Sequence, residues 1–157
     1  MKKLSLIAIA TVIASAAGAA EPQIYMRADY SYTMRETELK TTHIKTDTDI
    51  LKGSVGVGVK YNNVVVEIPD VNVLSTLYLG YSFDITKEIS LTPQAAYRFS
   101  DTNGYESSGY GLKLEGEYKL SPGFSLAANV GYTASSKDSP KTETNAILLS
   151  FGGKFYF

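Results

Sequence analysis

The sequence predicts an all-β protein: an eight-stranded antiparallel up-and-down transmembrane β-barrel over residues 21–157, behind a cleaved export signal at residues 1–20. Three observations predict it. Hydrophobicity alternates with a period of two along most of the chain after Ala20, short turns alternate with long polar connections, and part of the pattern recurs one hairpin later. A period of two marks a strand with unlike faces, whereas a helix would repeat every 3.6 residues.

The opening MKKLSLIAIATVIASAAGAA has two lysines, an apolar run from Leu4 to Ala14, and small residues up to Ala20. That order is the composition of a bacterial secretory signal. Cleavage follows either Ala19, with Ala17 and Ala19 as the small-residue pair, or Ala20, which leaves Glu21 first. The apolar run is shorter than the roughly 20 residues that a spanning helix requires.

The strands follow in order. Ile24, Met26, Ala28, Tyr30 and Tyr32 alternate with Arg27, Asp29, Ser31 and Thr33; Leu51, Val55, Val57, Val59 and Tyr61 alternate with Ser54, Gly56, Gly58 and Lys60. The same pattern holds for Leu77 to Phe83, Ile89 to Phe99, Tyr110 to Leu120, Phe124 to Tyr132, and Ile147 to Phe157. Between Val64 and Thr76 the alternation changes phase, from Val64, Val66 and Ile68 to Val71 and Val73. A bulge near Pro69 and Asp70 is therefore expected. Pro93 is expected at a bulge or a frayed strand end, because a closed ladder offers a proline no free edge.

Short turns fall at Asn62-Asn63, Ile85 to Lys87, and Ser121 to Gly123. Long polar connections are expected over 35–49, 101–106 and 135–142. Since the two kinds alternate, the short turns share one end of the sheet and the long loops the other. ISLTPQAAY, starting at Ile89, aligns with FSLAANVGY, starting at Phe124, an offset of 35 residues (124 less 89). A hairpin-sized period divides the mature chain into about four units, hence about eight strands.

Charge and composition exclude several functions. Without Lys2 and Lys3 the chain has 13 basic against 16 acidic residues, a net charge near −3, so no nucleic-acid partner is expected. With no cysteine there is neither a disulfide framework nor thiolate chemistry.

Alternation does not decide which way the apolar face points. It could line a soluble, lipocalin-like cup, or face lipid around a polar lumen. Lipid is favoured because the apolar face carries essentially no charge, and a basic residue at a bilayer midplane costs roughly 2–4 kcal/mol. Aromatic residues cluster toward both strand ends: Tyr61, Tyr81, Phe83, Tyr118, Phe124, Phe155 and Phe157 at the short-turn end, and Tyr30, Tyr32, Tyr97, Phe99, Tyr110 and Tyr132 at the other. Tyr25 also lies at the short-turn end but off the apolar face. The polar face is rich in small residues such as Gly56, Gly58, Gly80, Gly109 and Gly111, which a narrow filled lumen needs.

With its signal segment, its amphipathic strands and a final strand ending on an aromatic, the chain resembles the small outer-membrane barrels of the OmpA/OmpX/opacity-protein type. The resemblance implies that Ile147, Leu149, Phe151, Phe155 and Phe157 form the signal read by the barrel-assembly machinery. It also implies an outer-membrane location and contact with outer-membrane lipid and lipopolysaccharide.

On the polar face, Arg27, Asp29, Lys60, Glu67 and Arg98, with Lys113, Glu115, Glu117, Lys119 and Lys154, are the candidates for a lumen network of ion pairs. Side chains suffice to fill an eight-stranded interior, so a plug is expected in preference to an ion path. GSVGVGVK is strand-like with no helix after it, and its glycines are small lumen residues rather than a phosphate loop.

Neither cofactor nor metal is expected. Asp47, Asp49, Asp101, Asn103 and Glu106 are oxygen-rich, but lack the full ligand set of a calcium loop. His43, Lys40 and Lys45 are the loop contact candidates. A catalytic His43 would want a serine or carboxylate beside it, and enzyme activity is not expected. The expected role is structural or adhesin-like, through loops that meet a host or envelope ligand. A narrow channel for small solutes is the second reading and a lipid A-modifying enzyme the third.

Overall fold

The computed structural model describes residues 22–71, 76–102, 105–138 and 141–157, with side-chain surroundings for all of these but 99–107 and 138. The expected export signal, and the expectations for Phe99, Asp101, Asn103 and Glu106 as side chains, lie outside the described residues.

Nine strand segments follow one another: β1 Gln23–Leu39, β2 Ile44–Tyr61, β3 Val64–Ile68, β4 Thr76–Tyr81, β5 Phe83–Asp84, β6 Ile89–Thr102, β7 Tyr105–Ser121, β8 Phe124–Asp138 and β9 Lys141–Tyr156. Each pairs antiparallel with its neighbours, and β9 returns to β1, from Tyr25↔Tyr156 to Leu39↔Thr142. β4 and β5 are two pieces of one strand, since Gly80↔Gln94 and Phe83↔Leu91 share one register against β6. The ring therefore has eight strands, closed by the return of β9 to β1.

The two prolines behave differently. Past Ile68, which pairs with Val57, the Val71 amide donates to the Val55 carbonyl, one residue out of the β2–β3 register, so the bulge expected at Pro69 and Asp70 is present. Pro93 corrects its expectation. It lies within β6 at an unshifted register with Leu114 on β7. On its other side it falls opposite Tyr81, where β4 stops and β5 has not begun. Ser82 donates its amide to Asn63 on the β3 side, so Tyr81 faces the proline, which has no N–H to offer. The missing donor coincides with the break.

The long connections are corrected too. Residues 35–49, expected as a loop, are mostly strand: the β1–β2 ladder continues from Arg35↔Thr48 to Leu39↔Ile44, leaving only Lys40 to His43 as the turn. His43 takes a left-handed conformation there, with φ of 53°. Likewise β6 and β7 reach Thr102 and Tyr105, and β8 and β9 reach Asp138 and Lys141. Threonine-rich polar sequence suits a pleated ribbon once a ladder is already running, and needs no apolar face to do so. By contrast β3 and β4 have 5 and 6 residues against 18 in β2, so one side of the wall is low.

Burial is inverted relative to a water-soluble core. Tyr30, Leu51, Leu79, Tyr97, Tyr110, Leu112, Phe151 and Phe157 are each more than half exposed, whereas Arg27, Glu67, Lys113, Glu115 and Lys154 are buried. That excludes the soluble cup, whose apolar face would point inward. The apolar face looks out, as a transmembrane barrel requires.

Candidate functional site

The lumen is crossed near the short-turn end by a cluster of buried charges. Arg27, in the lumen-facing row of β1, extends its guanidinium to Asp29 on its own strand, to Glu67 on β3, and to Glu115 on β7, the last at 2.8 Å. Glu67 also accepts from Lys113 Nζ at 2.6 Å and from the Tyr25 hydroxyl at 2.8 Å. Lys154, on β9, donates to Glu115 and to Glu117, at 3.2 Å in the second case, and Glu117 accepts from the Tyr156 hydroxyl at 2.6 Å. The rings of Tyr78 and Tyr25 lie beneath Lys113 and Lys154, with centroids 4.3 and 4.7 Å from the ammonium nitrogens.

Three cations thus meet four carboxylates, and the ionic bonds tie together β1, β3, β7 and β9. Charges removed from water must find partners of this kind, and removing one partner of a buried pair typically costs about 3–5 kcal/mol. Small residues make the room. A Cβ on Gly58 would collide with the Tyr25 ring, and one on Gly152 with Asp29 and the Ala28 carbonyl.

Of the ten expected lumen residues, seven are brought together here: Arg27, Asp29, Glu67, Lys113, Glu115, Glu117 and Lys154. Three are not. Lys60 donates to Ser82 at 3.0 Å, below the cluster, and Lys119 lies 3.9 Å from Asp84 at the exposed short-turn rim. Arg98 lies higher, in a cavity of about 220 Å³ that Arg35, Ser31, Thr33 and Asn129 also line. Sequence reasoning missed Arg35, and it missed Tyr78 and Tyr156 as lumen groups. The available signal was phase: Arg35 continues the row of Arg27, Asp29, Ser31 and Thr33, and Tyr156 that of Lys154.

The loop candidates sit on the far end of the β1–β2 ribbon, outside the membrane-spanning part. His43 is 82% exposed, with its Nδ1 3.3 Å from Glu38 Oε1. This hydrogen bond is the main reason the Glu38 carboxyl is held below the usual carboxylate range, with Lys40 and Lys45 adding to it. Lys40 bridges to Glu143 at 2.8 Å and Lys45 to Glu36 at 3.0 Å, and each partner raises the lysine above its ordinary value. Glu38 stands directly opposite Glu143 in the β1–β9 register, so Lys40 relieves a like-charge pair.

An eight-strand ring with lipid-type side chains outside and paired charges inside has the fold of the small outer-membrane β-barrels, the OmpA/OmpX/opacity-protein type. Solved structures with this fold include Neisserial surface protein A, NspA, at a TM-score of 0.62 and 16% identity, covering 85% of this chain and 97% of that one. Ail, the attachment invasion locus protein of Yersinia pestis, in complex with the heparin analogue sucrose octasulfate, is similar at a TM-score of 0.50 and 13% identity, covering 87% and 100%. No protein-family model and no curated protein matches the sequence.

Proposed function

We propose that this protein is a structural and surface-contact barrel of the Gram-negative outer membrane, closed by its own side chains, whose contacts are made by the tall sheet of β9, β1 and β2. One observation carries the reading. From Ile44 to Ser54 the outer edge of β2 meets no strand among the described residues, because β3 pairs only from Val57 to Tyr61 and Val71 reaches only Val55. An open edge can accept an extended segment of another protein by strand addition. Charges at Lys45, Asp47, Asp49 and Lys52 along it oppose indiscriminate self-pairing.

The likeness in fold to a protein whose name speaks of attachment agrees with this role. Assembly proceeds through the last strand, with Ile147, Leu149, Phe151, Phe155 and Phe157 as the segment handed to the barrel-assembly machinery; lipopolysaccharide surrounds the outer rim. No reaction is assigned, since His43 has one carboxylate for company and is otherwise in solvent.

The test replaces residues 37–46 by Asn-Gly, a two-residue turn that closes the hairpin lower. In a heterologous Gram-negative host, cells with the full chain should adhere to immobilised extracellular-matrix proteins and cells with the shortened hairpin should not, at equal amounts of folded barrel. Equal adherence by the two would overturn the reading.

A further inference from the structure

The cavity above the ion-paired plug holds more positive charge than its own acids neutralise. Five cations line it, Arg27, Arg35, Lys52, Arg98 and Lys113, against Asp29 and Asp70. Arg27 and Lys113 are engaged by the plug's carboxylates, and Lys52 is paired with Asp70. Arg35 and Arg98 remain. The Nε of each is buried and has no hydrogen-bond partner among the described residues, and the Arg35 charge acts on Arg98 as a repulsion.

Their placement in the ring matters. β1 and β6 stand four strands apart in a ring of eight, so the two guanidiniums approach from opposite walls. Between them, on β8, lies Asn129, directly opposite the plug's Glu115 on β7 and Ser150 on β9. Asn129 is only 7% exposed, lines the cavity, and neither its Nδ2 nor its Oδ1 has a partner. A buried amide without a partner loses the hydrogen bonds that water would give it, and native structures seldom leave one without reason. The cavity exceeds many times the ~10–15 Å³ that a single water requires, so a hydrated polyatomic ion fits.

We propose that this cavity is a binding site for a tetrahedral oxyanion of the phosphate or sulfate type, clamped between Arg35 and Arg98 with the Asn129 amide as a donor beneath. Guanidinium groups match oxyanions in geometry as well as charge. A low-dielectric wall focuses their field into the cup. Asp29 limits the depth of the site, because its carboxylate lies below the jaws and would repel an anion that went further. The source is either a free inorganic anion or the phosphate of a lipid headgroup entering over the low β3–β4 wall.

Titration calorimetry of the full barrel in a zwitterionic detergent tests this, first with inorganic phosphate and sulfate, then with lipid A and its dephosphorylated form. Saturable binding of phosphate is expected, with the side-chain amide resonance of Asn129 moving in parallel. Arg35→Gln or Arg98→Gln should each weaken binding about tenfold or more, while Lys119→Gln, at the short-turn rim outside the cavity, should change it less than threefold. Binding of lipid A alone, with the same arginine dependence, assigns the headgroup as the source. Heat-modifiable migration establishes that each variant is folded. No binding of either source, or binding that survives the Arg35→Gln/Arg98→Gln double substitution, overturns the proposal.

Discussion

Arg27 and Glu67 form an ion pair across the lumen from β1 to β3, with side chains 1% and 0% exposed. Neither has water to fall back on. Glu67→Ala would take from Lys113 its nearest carboxylate and from Arg27 one of three, leaving both to share Glu115, and we expect it to lower the stability of the folded barrel by about 3 kcal/mol in urea unfolding from detergent or lipid. Replacing both members by Met should cost less than the two single changes together, because the two residues belong to one network. Strict additivity would show that the network is not a unit.

Gly58 lies beneath the Tyr25 ring, whose hydroxyl bonds to Glu67. Gly58→Ala should therefore displace the ring and destabilise by about 1–3 kcal/mol, as overpacking does elsewhere. Gly53, on the same strand, has only the Asp29 carbonyl near its missing Cβ, at 3.9 Å. Gly53→Ala is the control and should be near neutral. Equal effects from the two would contradict the packing account.

The turn at Lys40 to His43 should loosen at both extremes of pH. Glu38 is held below its ordinary range by His43 and two lysines, so its contribution is complete above the unfolded-state value and is lost as pH falls through the lower folded value. Lys40 and Lys45 are raised by Glu143 and Glu36, so theirs is complete below the ordinary lysine value and is lost as pH rises through the higher folded one. Across neutral pH the turn should stay ordered. Backbone amide exchange at Thr42, corrected for intrinsic rate, measures this; protection unchanged from neutral pH in both strong acid and strong alkali would contradict it.

Phe157 donates its amide to the Ile24 carbonyl and is 78% exposed, beside the tilted ring pair of Phe124 and Phe155, whose centroids lie 4.9 Å apart. Its side chain contributes little to the fold. Deleting Phe157 should reduce the amount of heat-modifiable barrel in the outer membrane by severalfold, yet leave the unfolding midpoint of the protein that does assemble almost unchanged. A large fall in that midpoint would make Phe157 a packing residue instead.

Strand phase was the most legible feature of the chain. The row Ile24, Met26, Tyr30 and Tyr32 announces an outward face, and its complement Arg27, Asp29, Ser31 and Thr33 a polar lumen, because a strand can separate unlike residues only that way. Residues 35–49 were illegible for the same reason: above the membrane both faces of the ribbon meet water, and alternation vanishes while the ladder continues. Arg35 was lost with them, although its phase placed it above Arg27. Lys60 and Lys119 share the lumen phase with the plug, but phase carries no height, and both lie too near the short-turn rim to join it. Pro93 shows the limit from the other side, since its effect falls on the neighbouring strand at Tyr81 and not on its own.

Buried charge should close this barrel, leaving the lumen sealed between the upper cavity and the short-turn end. Planar-bilayer recording of the purified full chain tests it most directly. The native chain should show no stable unitary conductance steps at either polarity in concentrated potassium chloride. Reproducible single-channel steps from the native chain would contradict it, and would make the Arg27, Glu67 and Glu115 cluster a gate instead of a plug.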